Sequence, residues 1–147
     1  MPPALKHGGM ERKEIYSTEY IIHKICECIP VDLMELPISK IKKTKQKILL
    51  DGDEINPFSL RYFTFIKKGT VCKVCGLKGI FFAKEKHRDV KECYHLNLYA
   101  VNDKGEEVLM TKDHILPKSL GGPDHLNNMQ SMCKRCNENK SNKKKEE

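Results

Sequence analysis

Four of the seven cysteines in this chain stand in two Cys-x-x-Cys pairs, Cys72-Lys-Val-Cys75 and Cys133-Lys-Arg-Cys136. Two intervening residues let one tight turn present two thiolates, and two such turns supply the four soft ligands of a tetrahedral zinc ion. No thioredoxin-like strand–helix–strand pattern accompanies the pairs, so a redox role finds no support. Because 58 positions separate Cys75 from Cys133, a metal shared by both pairs ties together the ends of a long segment. Cys26 and Cys28 have one residue between them and read as free thiols on different sides of a helix. Cys93, with His87 and His95, offers a second ligand set of irregular spacing.

A second constellation lies between and beside the cysteine pairs. It runs Asp113-His114-Ile115-Leu116-Pro117-Lys118-Ser119-Leu120-Gly121-Gly122, then Asn128, then the pair Cys133 and Cys136. Asn137 follows that pair directly, and Lys140 lies one helical turn later. An imidazole can take a proton near neutral pH, and carboxylate or amide oxygens suit a hard divalent cation. In this order the residues closely resemble the HNH endonuclease family, in particular its zinc-knuckle members of the phage and homing type, over about residues 72–142. The resemblance implies hydrolysis of DNA phosphodiesters, by nicking or by double-strand cleavage, to leave 5′-phosphate and 3′-hydroxyl ends. It implies that His114 activates the attacking water as general base. Asp113 and Asn137 then hold a catalytic Mg²⁺ or Mn²⁺, and Asn128 pins the loop that orients the base. Many relatives carry His where this chain has Asn137, which implies a weaker grip on the metal and use of an abundant ion. The stretch from Cys75 to Asp113 is longer than in the most compact relatives.

The elements that must position these residues follow from pattern. Residues 1 to about 14 lack apolar periodicity and read as a mobile arm. Ser17 caps a helix with Ile21, Ile25 and Ile29 on one face and Pro30 at its end. Ser39 opens a second, lysine-rich helix toward Leu50, and Asp51-Gly52-Asp53 is a turn. Asn56-Pro57 starts a third helix with Phe58, Tyr62 and Phe65 on one side, stopped by Gly69. Strands follow at Gly79–Ala83, from Tyr94 to Val101 and at Glu107–Thr111, with a charged loop over Lys84–Glu92 and a hairpin turn at Asn102–Gly105. A short strand near Asn128–Met132 leads to a basic helix from Lys134, and Asn142–Glu147 read as a fraying tail. With the finger that the resemblance implies, the expected fold is α+β: a small ββα-metal, treble-clef-like finger with a four-cysteine zinc site, preceded by a mainly helical N-terminal region. The expected division is residues 1–56, basic and of unknown role, and residues 57–147 as the nuclease domain.

Composition bounds the partners. A formal charge of +7 over 147 residues favours an anionic partner, DNA above all. Lys118 in the loop, and Lys134, Arg135, Lys140 and Lys143 on the last helix, are candidate phosphate contacts, which position DNA without reading its sequence. No run approaches a membrane span and the first residues lack a signal-peptide core, so the expected place is the cytoplasm of a bacterium or phage-infected host, with no membrane partner. Monomer and homodimer stay open. Two other readings stand beside the nuclease. One is a zinc-dependent nucleic-acid-binding module with a vestigial nuclease centre, and the other a zinc-stabilised interaction protein.

Overall fold

The computed structural model describes residues 5–6, 9–41, 46–88 and 93–146. Its frame is an antiparallel six-stranded sheet in the order β1 (Leu5–Lys6), β2 (Met10–Ser17), β5 (Gly79–His87), β6 (His95–Val101), β7 (Glu107–His114) and β8 (Met129–Cys133). A separate hairpin pairs β3 (Ile48–Leu50) with β4 (Asp53–Ile55). The α-helices of the described residues are α1 (Thr18–Cys28), α2 (Leu60–Lys68) and α3 (Lys134–Glu146), and short 3₁₀ segments lie between elements. The architecture is thus mixed α/β and mainly sheet.

Strand alternation sorts the side chains of the sheet into two faces. Phe82, Leu96, Leu98, Ala100, Val108 and Met110 join Ile21 and Ile25 of α1 and Tyr62 and Phe65 of α2 in one apolar core. The opposite face is polar at its centre. There Arg12 donates to Glu85 at 2.8 Å and, through both terminal nitrogens, to Glu107 at 3.1 and 2.8 Å. Glu85 also accepts from Asn97 at 2.8 Å and from the Tyr99 hydroxyl at 2.5 Å. Burial works against the Arg12 charge, but its bonds to Glu107 and Glu85 outweigh that and push its pKa above the usual value. On the core side, Lys84 is fully buried yet donates to the Leu50 carbonyl at 2.8 Å and pairs with Glu14 and Asp53.

These buried charges correct the expectations for the N-terminal half, which is not mainly helical. Residues 10–17 are strand β2 rather than an arm, because pairing with β5 satisfies their backbone and Arg12 is buried by its carboxylate partners. The charged loop expected from Lys84 is the continuation of β5 to His87, for the same reason; residues 89–92 lie outside the described part. The helix from Ser39 to Leu50 is replaced by one 3₁₀ turn at Ile38–Lys40 and strand β3. Ile48 and Leu50 are buried while Leu49 is 68% exposed, the two-residue period of a strand. Residues 42–45, and so most of that lysine cluster, lie outside the described part.

Helix α2 starts at Leu60 after Ser59, not at Pro57, since the Asn56 side chain accepts from the Phe58 backbone N–H at 3.0 Å and closes a local turn first. Gly69, at φ 96°, ends it as expected. Helix α1 begins at its expected cap, with Ser17 Oγ accepting from Tyr20 N at 3.2 Å. Strand β7 runs past Thr111 to His114, and α3 continues to Glu146 where a tail was expected. Among the described residues no helix is long and apolar enough to cross a membrane.

Candidate nuclease centre and metal site

The first knuckle is a tight turn. Gly76 N donates to the Cys72 carbonyl at 3.0 Å and Cys72 N to the Leu77 carbonyl at 2.8 Å, with Gly76 at φ 79°. Lys73 N reaches the Ser131 carbonyl at 2.9 Å, which ties this turn to β8. Cys133 ends β8 and Cys136 lies in the first turn of α3. The four ligand sulfurs lie within 4.8 Å of one another, and the Cys75 and Cys133 sulfurs are 3.8 Å apart. Bonds of about 2.3 Å to a tetrahedral zinc require edges of roughly 3.5 to 4 Å, so the cluster can hold such a metal ion.

Ionisation in the cluster is uneven. Burial opposes a thiolate at Cys72, but backbone N–H groups of Cys75, Cys133 and Val74 bring it down to about 6. Burial pushes Cys133 up, and burial together with its thiol neighbours pushes Cys136 up. A dication would favour the thiolate at all four cysteines together. Among the described residues no second group of three metal-ligating side chains converges, so Cys93, His87 and His95 do not form one.

Next to this staple is an open cleft of about 400 Å³ lined by Lys112, Asp113, His114, Lys118, Asn137 and Lys140, among others. Asp113 and His114 close β7, opposite Gln130 and Met129 of β8. The side chain of Asp113 is 11% exposed and accepts at Oδ2 from Gln130 Nε2 at 2.8 Å and from Lys140 Nζ at 2.5 Å. Lys140 also donates to the His114 carbonyl at 2.9 Å. Asn137 donates its amide to Thr111 Oγ1 at 2.9 Å, and Thr111 donates to the Met132 carbonyl at 2.8 Å, which leaves the amide oxygen as the other polar end of Asn137.

His114 Nε2 lies 2.8 Å from Asp124 Oδ1, and Lys118 Nζ lies 3.4 Å from Asp124 Oδ2. The bonds from His114 and Lys118 hold the Asp124 carboxyl below its usual range, so it is ionised and can only accept. Nε2 must then carry the proton, and Nδ1 is the basic nitrogen of the neutral ring. Asn128 braces the loop between His114 and Asp124. Its Oδ1 accepts from Leu116 N at 2.8 Å, its Nδ2 donates to the carbonyls of Leu116 at 3.0 Å and Pro123 at 3.1 Å, and its backbone carbonyl accepts from Ile115 N at 2.7 Å.

The structure therefore brings together Asp113, His114, Asn137, Lys118 and Lys140, with Asn128 behind them. Residues 101–147, which hold all six, match the model of the HNH endonucleases. This segment is therefore similar to the HNH endonucleases. No curated protein and no solved structure matches the chain to a significant degree. The HNH match carries nuclease-type chemistry at family level, and with it a nucleic-acid substrate. It begins after Cys72 and Cys75, so the first knuckle is joined to the HNH segment by geometry alone.

Two expected phosphate contacts lie elsewhere. Lys134 and Arg135 flank a different cleft with Glu107 and Leu109, where Arg135 pairs with Glu106 at 3.4 Å and Lys134 approaches Glu138 at 4.0 Å. The side chain of Lys143 lies outside the described part. Sequence reasoning missed Asp124, Gln130 and Thr111. An acid inside the loop of the motif could have flagged Asp124, whereas Gln130 and Thr111 depend on the register of β7 against β8.

Proposed function

We propose that the chain is a metal-dependent DNA endonuclease, with residues 57–147 as its nuclease unit and 72–142 as the motif core. The observation that carries this is the convergence of Asp113, His114 and Asn137 on one cleft within the family-matched segment. Zinc on the four cysteines braces the end of β8 and the start of α3, as a ββα-metal finger requires. Asp113 and the Asn137 amide oxygen are hard donors of the kind Mg²⁺ or Mn²⁺ takes, and the Lys140 ammonium already held against Asp113 speaks for a cation-binding position. Such an ion would stabilise the phosphorane charge and the departing 3′-oxygen. His114, oriented by Asp124 and with Nδ1 basic, takes the proton of the attacking water, and the ends are 5′-phosphate and 3′-hydroxyl. Asn128 keeps the loop from moving, Lys118 contacts phosphate, and the protein acts on DNA in the cytoplasm.

The test is cleavage of supercoiled plasmid with Mg²⁺ or Mn²⁺, comparing the parent with His114→Ala. A general base is worth about 10² to 10⁴ in rate, so the variant should lose at least that order while its DNA affinity barely changes. A parent that binds DNA but leaves it uncut with either ion would instead support a binding module with a vestigial centre. A His114→Ala protein that cuts at the parent's rate would remove His114 from the mechanism.

A further inference from the structure

Lys140 has the wrong partner for a plain phosphate contact. It projects from α3 onto the end of β7, where its ammonium sits 2.5 Å from Asp113 Oδ2 and 2.9 Å from the His114 carbonyl oxygen. Gln130 donates to the same Asp113 oxygen at 2.8 Å, so the carboxylate is held from two sides. A carboxylate and a backbone carbonyl are also the hard oxygens a divalent cation prefers. The ammonium and such an ion therefore compete for one oxygen. The pair is partly screened from water, with side-chain exposures of 26% for Lys140 and 11% for Asp113, so solvent removes only part of its strength. The lysine stem is flexible, and the cleft it lines is open and also carries Lys112 and Lys118. A nucleic-acid phosphate entering there offers Lys140 an alternative anion.

We propose that Lys140 is a tethered counter-cation for Asp113, which keeps divalent affinity low until a phosphate of the nucleic acid draws the ammonium away. The inference rests on the reading of Asp113 as a metal ligand. Divalent ion and nucleic acid then bind with positive coupling, and by linkage each raises the affinity of the other by the same factor. Free protein stays poorly loaded, and the centre assembles on its substrate.

The experiment measures Mn²⁺ binding to the zinc-loaded full chain, by paramagnetic resonance of the free ion, with and without a short DNA duplex. All proteins carry His114→Ala, which keeps the duplex intact and leaves the backbone carbonyl in place. Without DNA, Lys140→Met and Lys140→Gln should each bind Mn²⁺ about tenfold tighter than the protein retaining Lys140, and saturating duplex should tighten the latter by a similar factor. In the two lysine variants the duplex should change Mn²⁺ affinity little. Zinc content and circular dichroism verify that each variant is folded, and the two substitutions give two independent chances of that. Asp113→Asn should abolish Mn²⁺ binding in every background. If it does so while neither lysine variant binds more tightly, the counter-cation is refuted and the metal reading survives. If Mn²⁺ binding is the same with Asp113 or Asn at that position, the metal reading itself falls and this inference with it.

Discussion

Replacing Gly122 with alanine attacks the loop that joins His114 to Asp124 without touching either. Gly122 is buried, and a Cβ built on it would lie 1.8 Å from the Leu116 carbonyl oxygen, 2.7 Å from its carbon and 2.9 Å from Asn128 Nδ2. Real Cβ contacts do not fall below 3.0 Å, so Leu116 and Gly122 must separate by more than 1 Å. The closest obstacle is backbone, which no rotamer change can clear. Overpacking of this kind costs about 1–3 kcal/mol. Opening the loop also strains the three Asn128 side-chain bonds and the Gly122 N to Pro117 O bond at 3.0 Å, each worth about 1 kcal/mol. The expected destabilisation is about 2–4 kcal/mol in urea unfolding. A reacting group displaced by about 1 Å can cost roughly a hundredfold in rate, so plasmid cleavage should fall by that order with zinc content unchanged. Gly121→Ala is the control. Gly121 has φ 89° but nothing within 4 Å of its Cβ, so only the left-handed backbone penalty of about 1–2 kcal/mol applies. A Gly122→Ala protein as stable and active as the parent, or no worse than Gly121→Ala, would refute this account of the loop.

Two further substitutions test the frame around the centre. Metal analysis of the purified protein should find one zinc per chain, and Cys136→Ser or strong chelation should unfold the region of β8 and α3, seen as lost amide protection there; zinc-free protein with that region intact would overturn the staple. Glu85→Ala leaves the buried Arg12 with Glu107 as its carboxylate partner and removes the bonds that Tyr99 and Asn97 donate to Glu85, so chemical denaturation should show a loss of about 3–5 kcal/mol, and under 1 kcal/mol would contradict the buried network.

Local chemistry was legible in the chain itself. The Cys-x-x-Cys spacing could be read because a knuckle turn needs only adjacent backbone, whereas Asp113, Asn128 and Asn137 stood out by residue type and order while their partners Gln130, Leu116 and Thr111 lie far along the chain. Adjacent backbone also sets the helix ends that Ser17 and Gly69 marked correctly. What the sequence could not reveal depends on residues distant along it. Arg12, Lys84 and Glu85 are charged and therefore read as arm and loop, yet they are buried because Arg12 meets Glu85 and Glu107 from other strands of the sheet, and Lys84 meets Glu14 of β2 and Asp53 of the separate β3–β4 hairpin. The Asn56-Pro57 start failed to a competing local turn, and the lysine-rich helix failed to the alternation of Ile48 and Leu50 against the core. Within the site, only folding brings Lys140 to Asp113 and Asp124 to His114. Whether a charge meets water or a carboxylate is decided by which strands pair and in what register, and the energy of a buried ion depends on that partner more than on the residue's own polarity.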